Sequence, residues 1–204
     1  KLLVEAGCIP AEAMEFKDSY PPSDEALAAA VRDLDKGYKS VAVVLAAKDR
    51  ALPLLKAAYA AATEDKSRLL YAETMAVLGD RTGSPALLDF LAKADAWDKG
   101  WNFKGMGQYG PALSDLDRCI IALGMAHEPK AVGPIVEKVR LLTPESDFSH
   151  HRAVARALAA LGDKSAAPAL AELLAKPGMT GYAVHEPVAG QERSAPLREI
   201  MLAA

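Results

Sequence analysis

The chain has 204 residues, of which 51% are hydrophobic and 6% aromatic, so a sizeable core built mainly from aliphatic side chains is available. The net charge of −3 argues against a nucleic-acid-binding protein, because such proteins normally carry a basic surplus. No apolar run approaches the roughly 18 residues of a membrane-spanning helix, and the distant Cys8 and Cys119 predict neither a disulfide framework nor a zinc cluster. We therefore expect no nucleic-acid partner and no membrane partner.

The two ends of the chain indicate a piece of a longer protein. It begins with Lys1 rather than Met, and it ends at Ala204 within an apolar helical pattern. We therefore expect truncation at both ends, and the sequence leaves the cellular compartment open. Residues 1–23 match no repeat and are predicted to form an N-terminal extension. Ser23 or Asp24 is predicted to cap the helix that follows.

Internal repetition is the strongest signal and covers residues 24–204, which we predict to be one repeat domain. The segment from Arg118 aligns without a gap to the segment from Arg152, an offset of 34 residues. Looser copies end in Pro53 and Pro85. Repeats of this length are typical of stacked two-helix units.

Each copy predicts a hairpin of two α-helices. From Val154 to Leu161 apolar residues recur at i, i+3, i+4 and i+7, and the glycine at position 162 favours the end of that helix. Pro168 and its equivalents then fall in the first turn of the second helix, where a missing amide donor costs little. No segment alternates with period two over a useful length. We therefore predict an all-α protein without a sheet.

The repeat pattern, ALGD followed by A-x-P-A-L, resembles the short HEAT-like repeats named after phycobilisome lyases, over residues 40–177. The resemblance implies a HEAT-like α-α superhelix, a right-handed solenoid of helical hairpins that is used as a binding or scaffolding surface.

One glycine/aromatic loop, residues 95–112, interrupts the repeats and contains both tryptophans. It holds a formal GxGxxG from Gly105 to Gly110, but a dinucleotide site also needs a preceding strand, which is absent here. Pro111 is predicted to begin a helix directly after the glycines. Two interpretations stay open: a compact loop that packs its aromatics on the helices, or a contact surface for a ligand or domain. The candidate contact residues in the loop are Trp97, Trp101, Phe103, Lys104, Gly105, Gly107 and Tyr109.

A second candidate cluster, His150, His151 and Arg152, opens a predicted helix that Asp147 or Ser149 would cap. Either this is a solvated helix end, or the helix start and Arg152 form an anion site that contacts a ligand or partner. Arg118 and Arg152 occupy equivalent positions in two repeats, which instead indicates a structural ladder in which these arginines pair with neighbouring acidic residues. The candidate acids are Asp115, Asp117 and Asp147.

The remaining histidines, His127 and His185, each precede Glu and Pro. HEAT-repeat hydroxylases that modify deoxyhypusine bind two irons through His-Glu dyads, but the matching positions here hold other residue pairs: Ala72-Glu73, Asp117-Arg118 and Ala155-Arg156. His127 is therefore interpreted as a partly buried residue at the rim of the core. We predict no metal site and no catalytic residue.

Four segments of the chain are GWNFKGMGQYG, LDRCIIALG, FSHHRAVARALAALGD and PGMTG. Together they resemble the C-terminal helical region of bacterial FAD-dependent oxidoreductases, some of which are labelled xanthan lyase-like. The resemblance implies a non-catalytic accessory domain whose partner is a protein domain, of the same chain or of another. The chain itself would bind no cofactor, and FAD would belong to the parent protein. Two alternatives stay open: a stand-alone HEAT-repeat enzyme, a metal-dependent hydroxylase or lyase-like, that uses the histidines, and a DNA-binding relative of the alkylpurine glycosylases.

Overall fold

The structure is a computed structural model that describes residues 21–101, 113–179 and 202–203. Throughout these three ranges the regular elements are helices, and no strand forms among them. The prediction of an all-α chain is confirmed for this part. Most of the predicted N-terminal extension lies outside the described residues, and so does the apolar helical pattern at the C-terminal end, apart from a helical Leu202–Ala203.

The chain divides into two compact units between Tyr71 and Ala72. This division falls inside the repeat domain predicted for residues 24–204, and the predicted boundary after residue 23 stays a prediction. The described part of the first unit contains three helices and the start of a fourth: α1 (Asp24–Arg32), α2 (Tyr38–Ala46), α3 (Lys48–Ala61) and α4 (Asp65–Val77). Helix α1 packs against α2 and α3.

Local sequence accounts for α1. Ser23 accepts a hydrogen bond from the Ala26 amide at 3.1 Å, which confirms the predicted N-cap. Leu27, Ala30 and Val31 are buried at helical spacing and form the side of α1 that faces the core.

Pro53 departs from the predicted pattern. The repeat alignment places it in a first turn, but α3 begins at Lys48, and Pro53 lies inside the helix. A proline there removes one helical hydrogen bond. The helix continues nevertheless, because Ala51 and Leu55 on either side of the proline are fully buried and hold it in place.

The second unit consists of helical hairpins that lie side by side. Its helices after α4 are α5 (Ser84–Lys93), α6 (Asp115–Met125), α7 (Val132–Arg140), α8 (Phe148–Leu161) and α9 (Ala167–Leu174). The first helices of consecutive hairpins, α6 and α8, pack together along their lengths, and α7 contacts both α5 and α9. The prolines at 85 and 168 lie in the first turns of α5 and α9, as predicted.

Gly124 sets the close approach of α6 to α8. A Cβ built on it would lie 2.5 Å from the Ala157 Cα and 2.9 Å from the Ala157 Cβ. Only a glycine opposite a small residue lets these two helices meet so closely. Sequence reasoning did not single out Gly124.

The turns that end the first helices adopt the left-handed conformation. Gly79 and Gly162 have φ of +85° and +67°, and the value at Gly162 is the one that its predicted helix-ending role requires. His127 takes the same role with φ of +49°, where glycine is normally favoured. It is exposed, so the prediction of a partly buried His127 is wrong, because the left-handed turn directs this position to the surface.

Side chains also tie each hairpin to the next. Arg81 Nε donates to the Ala126 carbonyl at 2.9 Å, and His127 Nδ1 bonds the Ala160 carbonyl at 2.8 Å. Ala126 and Ala160 are equivalent positions 34 residues apart. We name these contacts the inter-hairpin staples.

Lysines form similar staples at the ends of the second helices. Lys138 on α7 donates to the Ala94 carbonyl just after α5, and Lys176 donates to the Arg140 carbonyl of α7 at 3.0 Å. Each bond satisfies a carbonyl that the end of a helix leaves without an intrahelical partner. The staples therefore complete helix ends and fix neighbouring hairpins at the same time.

Candidate functional site

The first part of the glycine/aromatic loop is bonded to the start of α8. The Gly100 amide donates to Asp147 Oδ2 at 2.8 Å, and the Trp101 amide donates to Ser149 Oγ at 2.9 Å. The Ser149 amide donates back to the Trp101 carbonyl at 3.0 Å. We name the segment Trp97–Trp101, with Asp117 and residues 147–150, the loop clamp.

The loop clamp also reaches the start of α6. Asp98 Oδ2 accepts the Leu116 amide at 3.2 Å. Ser114 and Asp117 form a capping box, in which each side chain accepts the other residue's amide. The helix consequently begins at Asp115, four residues after the predicted start at Pro111, because the capping box fixes its first turn.

A buried His150–Asp117 pair lies at the centre of the loop clamp. His150 Nδ1 is 2.8 Å from Asp117 Oδ1, and His150 Nε2 is 3.0 Å from the Asp98 carbonyl oxygen. The two side chains are 3% and 0% exposed. Because both ring nitrogens face oxygen acceptors, a doubly protonated imidazolium is the form that satisfies both contacts.

The titration of the pair agrees with this charge state. Burial by itself lowers the pKa of His150, but the hydrogen bond and charge of Asp117 outweigh it, so the net pKa is raised above the ordinary histidine value. Burial by itself raises the pKa of Asp117, but hydrogen bonds from His150, Ser149 and the Ser114 amide lower it below the ordinary aspartate value. Both shifts favour the charged forms, so the two side chains form an ion pair at pH values between their two pKa values.

The two tryptophans pack on α8. Trp97 stacks on the His150 ring, with centroids 4.4 Å apart and planes 28° apart, which suits a cation over an aromatic face. Trp101 lies 6.3 Å from the Phe148 ring, and the Arg152 guanidinium lies 5.9 Å from the Trp101 centroid. For this described part of the loop, the interpretation of aromatics packed on the helices is confirmed.

The interpretation of a solvated helix end at positions 149–151 is wrong. Ser149, His150 and His151 are all at most 2% exposed, because the loop covers the start of α8. Asp147 makes no capping hydrogen bond from its side chain, contrary to the prediction, since its carboxylate accepts the Gly100 amide instead. The Ser149 hydroxyl likewise accepts the Trp101 amide rather than capping the helix. Two carboxylates, Asp117 and Asp147, lie beside His150 at the start of α8, where the sequence had suggested a site for an anion.

The structure brings together four of the candidate contact residues: Trp97, Trp101, His150 and Arg152. His151 lies beside them, with Nδ1 3.2 Å from the Asp147 carbonyl. The other five lie outside the described residues, and their contact role stays a prediction: Phe103, Lys104, Gly105, Gly107 and Tyr109.

A cleft of about 390 Å³ opens beside the loop clamp, at the start of α6. Its lining is mixed in charge: Asp98, Lys99, Gly100, Leu113, Ser114, Asp115 and Arg118. Arg118 bonds Asp115 at 2.7 Å and Glu73 at 3.2 Å. The predicted pairing of Arg118 with a neighbouring acid is confirmed for Asp115, and Glu73 from α4 was missed.

Asp98 and Asp117 are clamp residues that sequence reasoning did not assign to this site. Asp117 carried a usable signal, since it lies three and six residues before Ile120 and Leu123 on the buried side of α6. A carboxylate on such a face requires buried partners. Asp98 offered no comparable signal, because its role depends on the fold that brings it to α6.

The loop clamp has limited means for acid–base chemistry. An Asp–His pair activates a nucleophile when the second ring nitrogen is available to take a proton, but here Nε2 faces the Asp98 carbonyl. The Cys119 thiol is also unsuited to attack, because burial raises its pKa and it donates to the Leu87 carbonyl.

Two further features of the described ranges bear on function. No group of three His, Cys, Asp or Glu side chains there could hold a metal ion. None of the helices in those ranges is long and apolar enough to cross a membrane.

Comparison of the chain with protein-family models, curated proteins and solved structures finds no match.

Proposed function

We propose that this chain is a non-catalytic interaction domain built from HEAT-like helical hairpins, and that it forms the accessory C-terminal part of a larger FAD-dependent oxidoreductase. The chain would act through its surface, by packing on or recruiting a protein domain. FAD would be bound by the parent protein rather than here.

The solenoid part of this proposal draws support from the contacts between hairpins. Arg81 and His127 bond equivalent carbonyls, at Ala126 and Ala160, so one kind of staple recurs from hairpin to hairpin. Units that contact mainly their neighbours build extended surfaces, which is how repeat proteins bind partners.

The single observation that carries the non-catalytic part is the arrangement of His150. With Asp117, His150 forms the Asp–His pair that a general base needs. Both of its ring nitrogens, however, are already hydrogen-bonded, one to Asp117 and the other to the Asp98 carbonyl. The contacts of His150 therefore hold the loop in place and leave neither ring nitrogen available to take a proton.

The encoding reading frame offers the first test. We expect a flavin-binding domain, with its strand and glycine-rich turn, in the same frame upstream of residue 1. A frame that starts at residue 1 and stops after residue 204 would overturn the accessory-domain proposal.

Purified chain offers the second test, which separates the proposal from a stand-alone metal enzyme. We expect elemental analysis to find iron and zinc well below one ion per chain, and no flavin absorbance near 450 nm. Stoichiometric iron or zinc that is lost in a His150→Gln variant would favour the enzyme. The same measurement on a His127→Gln variant shows whether that exposed histidine, outside the clamp, also holds the metal.

A further inference from the structure

We propose that the loop clamp is a proton-controlled latch: His150 holds the segment Asp98–Trp101 against the starts of α6 and α8 while it is an imidazolium, and releases that segment when it loses a proton. The latch would operate whether or not the chain serves a flavoenzyme.

The geometry of the ring makes the latch depend on one proton. The imidazolium donates from Nδ1 to Asp117 and from Nε2 to the Asp98 carbonyl, at 2.8 and 3.0 Å. A neutral imidazole has one N–H and one lone pair. Whichever tautomer forms, a lone pair then faces an oxygen acceptor, and one of the two bonds becomes a repulsion.

The charged groups around His150 favour the closed state at low pH. Asp117 from α6, Asp98 from the loop and Asp147 from the turn before α8 all present negative charge to the ring. Two groups oppose them: the positive end of the α8 dipole, and Arg152, whose charge acts on the same Asp117. The pKa of His150 is nevertheless raised, so the latch is closed below the ordinary histidine range and opens as pH rises through the raised value.

Release of the segment would change the neighbouring cleft. Asp98, Lys99 and Gly100 form one wall of the 390 Å³ cleft, and the amides of Gly100 and Trp101 are bonded to Asp147 and Ser149. Opening the latch removes that wall from the start of α6. The shape of the cleft would therefore depend on pH.

Amide hydrogen exchange of the full chain, followed by NMR from pH 5 to 9, tests the latch. We expect the protection factors of the Gly100 and Trp101 amides, corrected for the intrinsic pH dependence, to fall about tenfold or more as the His150 ring titrates. The Val139 amide within α7 is the internal control and should keep its protection. Constant protection of Gly100 and Trp101 through the His150 titration would overturn the latch.

An Asp117→Asn variant provides the matched change in charge. It keeps the shape of the side chain but removes the carboxylate, so the loss of protection should move to lower pH. A His127→Asn variant should leave the transition where it is. If Asp117→Asn fails to fold, the titration of the unaltered chain still decides, and a transition that does not move in a folded Asp117→Asn protein would contradict the proposal.

Discussion

At the residue scale, two serines near helix starts differ in whether their hydroxyls are hydrogen-bonded. Ser114 caps α6 and shares the capping box with Asp117. Ser84, at the start of α5, is 2% exposed, and its Oγ has no hydrogen-bond partner among the described residues. Burial of a hydroxyl without a partner costs free energy, whereas a capping hydroxyl recovers it.

The two serines give a matched pair of substitutions. Ser84→Ala is expected to leave the free energy of unfolding unchanged or to raise it by up to about 1 kcal/mol, because an unsatisfied hydroxyl is removed. Ser114→Ala is expected to lower it by about 1 kcal/mol through loss of the cap. Urea unfolding of both variants checks this, and a loss above about 1 kcal/mol for Ser84→Ala would mean that its hydroxyl has a partner.

The stability contributed by His150 should depend on pH with a definite sign. Its raised pKa means that the stabilisation is complete below the ordinary histidine pKa of about 6.5 and is lost as pH rises through the raised value. Asp117 acts oppositely: its lowered pKa gives stabilisation that is lost only as pH falls through that value in acid. The pair therefore stabilises the fold most between these limits.

We expect the difference in unfolding free energy between the unaltered chain and His150→Gln to be larger at pH 6 than at pH 9, by roughly 1–2 kcal/mol. Urea titrations at the two pH values measure it. A difference that grows towards pH 9 would show that His150 is buried as the neutral ring.

At the scale of elements, the contact between α6 and α8 depends on a missing side chain. A Cβ at Gly124 would lie 2.5 Å from the backbone of α8 at Ala157, which cannot move aside as a flexible side chain could. Gly133, in the first turn of α7, offers the opposite case, since a Cβ there would meet open space.

Gly124→Ala is expected to destabilise the chain by about 1–3 kcal/mol, because the added methyl forces α6 and α8 apart. Gly133→Ala should be neutral or stabilise by up to about 1 kcal/mol, since alanine favours the helix. Thermal unfolding of the two variants measures both effects. Equal stability of the two proteins would contradict the close approach of α6 and α8.

Helices, caps and left-handed turns could be predicted from the sequence because they depend on neighbours in the chain. Ser23 and Gly162 illustrate this, since each is identified by its position beside an apolar periodic segment. The loop clamp could not be predicted, because Asp98 and Asp147 reach their partner amides, those of Leu116 and Gly100, only after α6 and α8 have packed. Asp147 or Ser149 was expected to cap α8, but the Asp147 carboxylate accepts the Gly100 amide and the Ser149 hydroxyl accepts the Trp101 amide.

At the scale of the whole molecule, the inter-hairpin staples lie within the second unit, where side chains of one hairpin bond carbonyls of the next. Arg81 on one hairpin donates to carbonyls of the next, at Ala126 and His127. Arg140 is a useful contrast, because its ion pair with Glu137 is exposed and stays within one helix.

Arg81→Met is expected to lower the free energy of unfolding by about 1–2 kcal/mol, since it leaves helix-end carbonyls without their donor. Arg140→Met should change it by less than about 0.5 kcal/mol, as expected for an exposed pair. Denaturant unfolding compares the two directly. Equal losses would mean that the Arg81 staple adds nothing to the stacking of hairpins.

A double-mutant cycle of His150→Gln and Asp117→Asn, read as free energy of unfolding at pH 6.5, tests most directly whether the buried pair holds the loop on α6 and α8. If it does, each single variant loses roughly 3 kcal/mol, and the double variant loses clearly less than the sum, with a coupling of about 1–3 kcal/mol. Two single losses that simply add, or a His150→Gln protein as stable as the unaltered chain, would contradict the account.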